Sequence, residues 1–205
     1  MTNAGVDWIP AGQAFRFEDL VFWQGKGGAP FDAAAARIDT VVLGPHASAR
    51  FPGELQPFVD AALTRRNQYD YSDVITSDLG RAWAAADPAV VFVESPHSRV
   101  AQDANRAPPA DVMPGLREFF ARIARQRRGE KVTFDGIDAV RPITFAGETV
   151  LRPPADEAEW SALAGALAAA RRLGHEVYRR ACDTVIDAVL GAHRPGAALH
   201  VIGLH

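Results

Sequence analysis

The sequence predicts an α/β protein, a three-layer α/β/α sandwich in which helices cover both faces of a mainly parallel, mixed sheet. Two observations favour this fold class. Short apolar runs rich in β-branched residues are bounded by Gly or Pro, as buried strands are, and the segments between them carry apolar residues at helical spacing. Parallel strands need crossover helices, and these pack on the sheet. With 205 residues, a single domain over residues 1–205 can bury its own core.

The predicted strands are three short apolar runs, at residues 38–43, 89–93 and 197–204. Between the strands, apolar residues at three- and four-residue spacing predict helices, at residues 54–66, 73–86 and 116–127. These segments alternate along the chain as the sandwich requires.

The longest helical pattern follows Pro153 and Pro154. Asp156 is placed to cap this helix, because an aspartate side chain can accept a hydrogen bond from the first free backbone N–H groups. Gly174 is the expected position of a kink and Gly191 of the end.

Charge and composition exclude several classes of protein. The net charge is −3, from 22 Lys and Arg against 25 Asp and Glu, which argues against a nucleic-acid partner. One cysteine excludes a disulfide framework, and no apolar run reaches the roughly 18 residues that a membrane span needs. The first ten residues lack the basic and apolar regions of a signal peptide. We therefore expect a cytoplasmic protein without a membrane partner; the sequence does not indicate its oligomeric state.

Histidines follow all three predicted strands. His46, His97 and His205 come after the first, second and third strand, and the carboxyl ends of parallel strands meet at one edge of a sheet. Neutral imidazole is a good zinc ligand, and two histidines with one carboxylate are a common catalytic set. His97 can serve either the substrate or the turn in which it lies. His175, on a helical segment, is expected to face solvent.

A polar stretch at residues 98–106, SRVAQDANR, follows the second strand. It contains Arg99, Asp103, Asn105 and Arg106. Arginine is suited to a bidentate grip on a carboxylate, so this stretch is a candidate for substrate binding. A solvated loop with an Arg–Asp surface pair is the alternative interpretation.

Several of these residues, taken in order, resemble the N-formylglutamate amidohydrolase family. His46 in GPHAS, followed by Phe51 and Pro52, resembles the family's PHSG…P opening, and SRVAQDANR is similar to its SR…DxNR motif. Residues 141–151, RPITFAGETVL, resemble its P.T.F.G segment. Tyr178 and Arg179 fall where the family often has Tyr-His, and the terminal VIGLH resembles the start of its strand end with a histidine.

The resemblance implies a zinc-dependent hydrolase related to the carboxypeptidase and aspartoacylase group, with a phosphorylase/hydrolase-like sandwich. Zinc would bind His46, His205 and a carboxylate. Related peptidases supply that acid three residues after the first histidine, where this chain has Ala49. Asp78 is the first choice in its place. The alternatives for this acid are Asp73 and Glu54.

The same resemblance implies roles for the polar stretch. Asp103 would orient a metal ligand, while Asn105 and Arg106, with Arg99, would hold the substrate carboxylate. The expected substrate is a small N-acyl amino acid such as N-formylglutamate, from which a formyl group is released.

The general base is not identified from the sequence. Related enzymes take it from a strand after the second metal histidine, whereas this sequence stops at His205, so the domain is expected to be incomplete at its carboxyl end. A non-catalytic carboxylate-binding relative, or a hydrolase for another N-acyl amino acid or a short peptide, remains an alternative.

Overall fold

The computed structural model describes residues 5–70, 72–73, 75–136, 140–193, 196 and 198–204. The strands are β1 (Trp8–Ile9), β2 (Val21–Trp23), β3 (Thr40–Gly44), β4 (Phe51–Pro52), β5 (Val90–Glu94) and β6 (His200–Gly203). The helices are α1 (Phe17–Leu20), α2 (Phe31–Ala35), α3 (Arg65–Tyr69), α4 (Ile75–Ala86), α5 (Met113–Arg127), α6 (Glu157–Ala170) and α7 (Glu176–Ala192). Among the described residues, no helix has the length and apolar character needed to cross a lipid bilayer.

A four-stranded sheet in the order β2-β5-β3-β6 forms the centre of the protein. β3 runs parallel to both β5 and β6, and the edge strand β2 is antiparallel to β5. The three predicted strands are thus adjacent, and the prediction of a mainly parallel mixed sheet is confirmed. A second, two-stranded sheet pairs β1 with β4.

Helices cover both faces of the four-stranded sheet. On one face, α4 packs against the sheet through Ala84, beside Val42 and Phe92. Gly80 permits this approach, because a Cβ at this position would lie 2.5 Å from the Phe92 ring. On the other face, α7 packs against β3 and β5, with α1 and α2 beside it. The predicted three-layer α/β/α arrangement is confirmed.

A second hydrophobic cluster lies outside the sheet. It is formed by residues of β4, α5, α6 and the connecting segments, among them Phe51, Leu55, Leu116, Leu163 and Leu167. This cluster buries the beginning of the polar stretch after β5, since Val100 and Ala101 belong to it. The stretch is therefore anchored in a core rather than lying free on the surface.

The predicted helix at residues 54–66 is wrong. The chain instead forms a 3₁₀ helix, Gly53–Phe58, and then the separate helix α3. Pro57 has no N–H to donate, and Thr64 begins α3 by accepting a hydrogen bond from the Asn67 backbone N–H at 3.3 Å. The larger apolar residues of the pattern are nevertheless buried, whereas Ala62 is exposed; the buried ones are Leu55, Phe58, Val59 and Leu63.

The long C-terminal helix is real but contains a π-helical turn at Arg171–His175, between α6 and α7. Asp156 caps α6 as predicted, accepting from the Glu159 backbone N–H at 2.9 Å. The expectation for His175 is wrong, since it is only 4% exposed. A π-turn inserts an extra residue into the helical repeat and so shifts which side chains face inward.

Candidate active site

The carboxyl ends of β3 and β5 lie side by side. Gly44 is in register with Glu94, and the Ser95 N–H donates to the Gly44 carbonyl at 3.0 Å. β6 ends at the same edge, because Gly203 is in register with Leu43. Two residues after β3 comes His46, whose backbone carbonyl accepts from the Asp73 N–H at 3.0 Å. The fold thus collects polar residues from three separate segments at one edge of the sheet.

His46 lies between two carboxylates. Its Nε2 is 2.7 Å from Asp103 Oδ1, a hydrogen-bond distance, and its Nδ1 is 3.3 Å from Asp73 Oδ2. Both His46 and Asp103 are almost fully buried, whereas the Asp73 side chain is partly exposed. Since a carboxylate can only accept, the Nε2 atom carries the hydrogen that Asp103 binds.

Asp103 is held ionised by its neighbours. Burial alone would raise the pKa of this carboxyl group, but the hydrogen bond with His46, the charge of Arg99 and the Asn105 backbone N–H together hold it well below its usual value. Arg99 Nη2 donates to Asp103 Oδ2, and the Asn105 N–H donates to Oδ1 at 2.9 Å. Asp103 therefore acts as a fixed acceptor that sets the orientation of the His46 ring.

The His46–Asp73 pair fits a divalent cation. With its hydrogen on Nε2, a neutral imidazole presents a lone pair at Nδ1, and that lone pair faces another acceptor, the Asp73 carboxylate. Two ligands that each lie about 2.0–2.1 Å from a tetrahedral zinc are about 3.3 Å apart, which matches the 3.3 Å between Nδ1 and Oδ2.

A complete metal site is not present among the residues described. Within that part of the chain, no three His, Cys, Asp or Glu side chains are grouped so as to hold a metal ion. His205, predicted from the sequence as the second histidine ligand, lies outside the described residues. His46 and Asp73 are thus two described residues that would serve as ligands if a metal ion bound at this place.

The other candidate carboxylates lie elsewhere. Asp78 is exposed on α4. Glu54 accepts a hydrogen bond from the Gly12 N–H at 2.6 Å. Of the three carboxylates that the sequence left open, Asp73 is the one that the structure brings to His46.

Glu94, which ends β5, is engaged in an ion pair. Its two oxygens accept from Arg81 Nε and Nη2 at 2.8 and 2.9 Å, and Ser77 also donates to it at 2.9 Å. These contacts tie α4 to the end of β5. They satisfy the carboxylate without involving His46.

The residues proposed from the sequence for substrate binding surround Asp103. Asn105 and Arg106 are exposed, and a turn in which the Arg106 N–H donates to the Asp103 carbonyl at 3.1 Å holds them beside the buried carboxylate. The Arg99 guanidinium lies 5.0 Å from the centre of the exposed Phe145 ring. This contact brings the segment at residues 141–151 to the same region.

A small cavity, here called the strand-end cavity, opens at this edge of the sheet. It has a volume of about 270 Å³, and its lining includes Pro45, Asn105, Gly203 and, from α7, Arg179 and Asp183. Arg179 was not predicted from the sequence as a site residue. The available indication that Arg179 belongs to the site was its position directly after Tyr178, where the family that the sequence resembles often has a histidine.

His97 is buried against the π-turn. A Cβ at Gly174 would lie 2.2 Å from His97 Nδ1, and the Phe15 ring contacts the imidazole edge-on with the centroids 5.8 Å apart. Burial lowers the pKa of His97 to about 4, so the ring stays neutral at pH 7. Of the two roles that the sequence left open for His97, this packing favours the structural one.

Comparison with known proteins agrees with this geometry. Residues 38–202 match the N-formylglutamate amidohydrolase family, and that span contains β3, β5, His46 and the whole polar stretch after β5. Searches of curated proteins and of solved structures each found no match. Because the match covers most of the chain, the protein belongs to the N-formylglutamate amidohydrolase family.

Proposed function

We propose that this protein is a zinc-dependent amidohydrolase that releases formate from an N-formyl amino acid such as N-formylglutamate. The observation that carries the proposal is the placement of His46 between Asp103 and Asp73, at the carboxyl ends of the parallel strands. Membership of the family supports the same reaction class.

His46 and Asp73 would hold the zinc ion, with His205 as the proposed third protein ligand. A bound zinc would polarise the formyl carbonyl and lower the pKa of a water molecule. Asp103 keeps its hydrogen bond to His46 Nε2 and so leaves Nδ1 directed at Asp73. Such a carboxylate behind a metal-binding histidine fixes the tautomer and the orientation of the ring.

Asn105, Arg106 and Arg99 would bind the substrate on the other side of Asp103. A guanidinium presents parallel N–H groups that match the two oxygens of a carboxylate. The turn at Asp103 holds the backbone of Asn105 and Arg106 against the carboxylate that contacts His46, which supports a substrate bound with its formamide bond near the zinc.

The reaction also needs a group that transfers a proton to the leaving amine, and His46, Asp73 and Asp103 already have other roles in this proposal. Among the described residues, the carboxylates in contact with His46 are Asp73 and Asp103, and Glu94 is occupied by Arg81 and Ser77. If no such group exists, the protein binds carboxylates without turnover. Measurement of formate release decides between these two cases.

The test combines activity with metal content. Purified protein is incubated with N-formylglutamate, free formate is measured, and bound zinc is quantified by elemental analysis for the wild type, His46→Ala, Asp73→Asn and Asp78→Asn. We expect formate release by the wild type and loss of both zinc and activity in the first two variants. Asp78→Asn is the matched control on α4 and should retain both.

Three results would overturn parts of this proposal. Zinc content that survives His46→Ala would remove the metal assignment. Loss of zinc in Asp78→Asn but not in Asp73→Asn would restore Asp78 as the ligand. Tight binding of N-formylglutamate by calorimetry, without formate release by the zinc-loaded protein, would establish the non-catalytic alternative.

A further inference from the structure

The strand-end cavity has a second polar wall, which belongs to α7. Arg179 and Asp183 lie one helical turn apart on this helix, and Asn105 lines the same cavity from the loop after β5. Pro45, the residue before His46, is also part of the lining. The α7 wall thus shares a cavity with the residue that directly precedes the candidate metal ligand His46.

The position of α7 relative to this cavity is fixed by its core. Tyr178, directly before Arg179, and Cys182, three residues after it, are buried in the cluster between α7 and the sheet and also line the cavity. Burial raises the pKa of the Cys182 thiol to about 12, so this residue is an inert packing group at neutral pH. A helix anchored in this way holds its exposed side chains at a defined place in the cavity wall.

Arg179 itself is available for a ligand. It is exposed and, within the part of the chain that the structure describes, it makes no ion pair or hydrogen bond through its side chain. Many other arginines of this protein are paired, as Arg81 is with Glu94 and Arg152 is with Glu159. A guanidinium that lines a cavity and makes no ion pair with a protein carboxylate can bind the carboxylate of a small molecule instead.

We propose that Arg179 binds one carboxylate of the substrate in the strand-end cavity. This inference rests on the proposed function and deepens it, because it adds a cationic side chain of α7 to the substrate site. Arg179 lines the cavity and can bind one carboxylate of a small N-acyl amino acid, while the Asn105 side chain can donate a hydrogen bond to the same ligand from the loop after β5. A volume of about 270 Å³ suits a ligand of that size better than a peptide.

Asp183 opposes this binding. Its carboxylate lies on the same wall and repels an anionic ligand, so it limits the affinity that Arg179 confers. Removal of the two charges should therefore change substrate binding in opposite directions. A purely structural role for this part of α7 would not produce that pattern.

The experiment compares Arg179→Gln with Arg180→Gln, which changes the next, exposed arginine of the same helix. Steady-state formate release is measured with N-formylglutamate and N-formylglutamine. We expect Arg179→Gln to raise KM by roughly 10- to 100-fold with a smaller change in kcat, as is typical of a lost hydrogen bond to a charged group. Arg180→Gln should match the wild type, and Asp183→Asn should lower KM.

The two substrates identify the carboxylate that is bound. If Arg179 binds the side-chain carboxylate, Arg179→Gln loses the preference for N-formylglutamate over N-formylglutamine. If it binds the α-carboxylate, both substrates lose equally. An unchanged KM for both substrates, or an equal loss in Arg180→Gln, would overturn the proposal.

Calorimetric binding of N-formylglutamate separates this proposal from the catalytic one. If the wild type binds the compound without releasing formate, the proposed reaction fails while the role of Arg179 is still measured as the ratio of Kd values between the wild type and Arg179→Gln. If affinity is equal in the two proteins, the role of Arg179 is refuted whatever the activity.

Discussion

Replacing His97 with Gln should make the free energy of unfolding decrease less as the pH falls. The pKa of His97 is lowered by burial from 6.5 to about 4. In the unfolded chain the ring takes up a proton as the pH falls below 6.5, whereas in the folded protein it stays neutral until about pH 4. The stabilisation that comes from this neutral ring is therefore fully present above pH 6.5 and is lost as the pH falls towards 4.

The size of this effect follows from the two pKa values. At pH 4.5 the difference between 6.5 and about 4 corresponds to a loss of about 2–3 kcal/mol in the free energy of unfolding. The assay is urea denaturation followed by tryptophan fluorescence at several pH values from 7.5 to 4.5. His97→Gln should be less stable than the wild type at pH 7.5, because the buried ring is lost, but should lose about 2–3 kcal/mol less of its free energy of unfolding between pH 7.5 and pH 4.5.

His200→Gln is the matched control, since His200 is exposed on the edge strand β6. Burial also lowers the pKa of His175, so part of the acid sensitivity should persist in His97→Gln. The reasoning is refuted if His97→Gln and the wild type lose the same free energy between pH 7.5 and 4.5, or if His200→Gln flattens the curve as well.

Three further substitutions test other parts of the structure. Gly174→Ala should destabilise the protein by about 1–3 kcal/mol in thermal unfolding, because its Cβ would lie 2.2 Å from His97 Nδ1; an unchanged melting temperature would show that this packing is wrong. Asp103→Asn should weaken zinc binding by roughly 10- to 100-fold in a competition assay with a chelating dye, because His46 loses its charged acceptor, and unchanged affinity would contradict the orienting role. Asp156→Ala should lower the free energy of unfolding in urea by about 1 kcal/mol, because the cap of α6 is lost. A decrease of less than about 0.3 kcal/mol, which is on the order of the measurement error, would argue against the cap.

The two central strands, β3 and β5, could be predicted because they are largely buried on both faces, which makes each a continuous apolar run that stands out in the sequence. β6 was predicted from an apolar run of the same kind, although it lies at the edge of the sheet and is largely exposed. The edge strand β2 has only three residues, Val21–Trp23, and gives no such run. The short helices α1 and α2 were missed for the same reason, since four or five residues are too few to show a helical period.

The error at residues 54–66 has a different cause. Apolar residues at helical spacing are also compatible with a 3₁₀ helix followed by a loop, provided that tertiary packing buries the same side chains. Pro57 was the local indication that an α-helix would not form. Apolar spacing alone therefore identified most of the buried residues of this segment, with Ala62 as the exception, but not the backbone conformation that buries them.

The site was predictable as far as it depends on strand ends. His46 and the polar stretch came together because parallel strands place their carboxyl ends at one edge. The choice between Asp73 and Asp78 depends on where α4 begins, a boundary that sequence spacing does not fix. Arg179 could not be found in this way, because it lies on a helix and not at a strand end. It lines the cavity together with Asn105 of the loop after β5, which is roughly 70 residues earlier in the chain, and the packing of α7 on the sheet brings the two together.

The most direct test of the proposed site is anomalous diffraction at the zinc edge from crystals of the protein grown with zinc. We predict a single strong peak about 2.0–2.2 Å from His46 Nδ1 and from an Asp73 oxygen, with His46 Nε2 still bound to Asp103. A peak on Nε2, a peak remote from His46, or no peak at saturating zinc would contradict the proposed site.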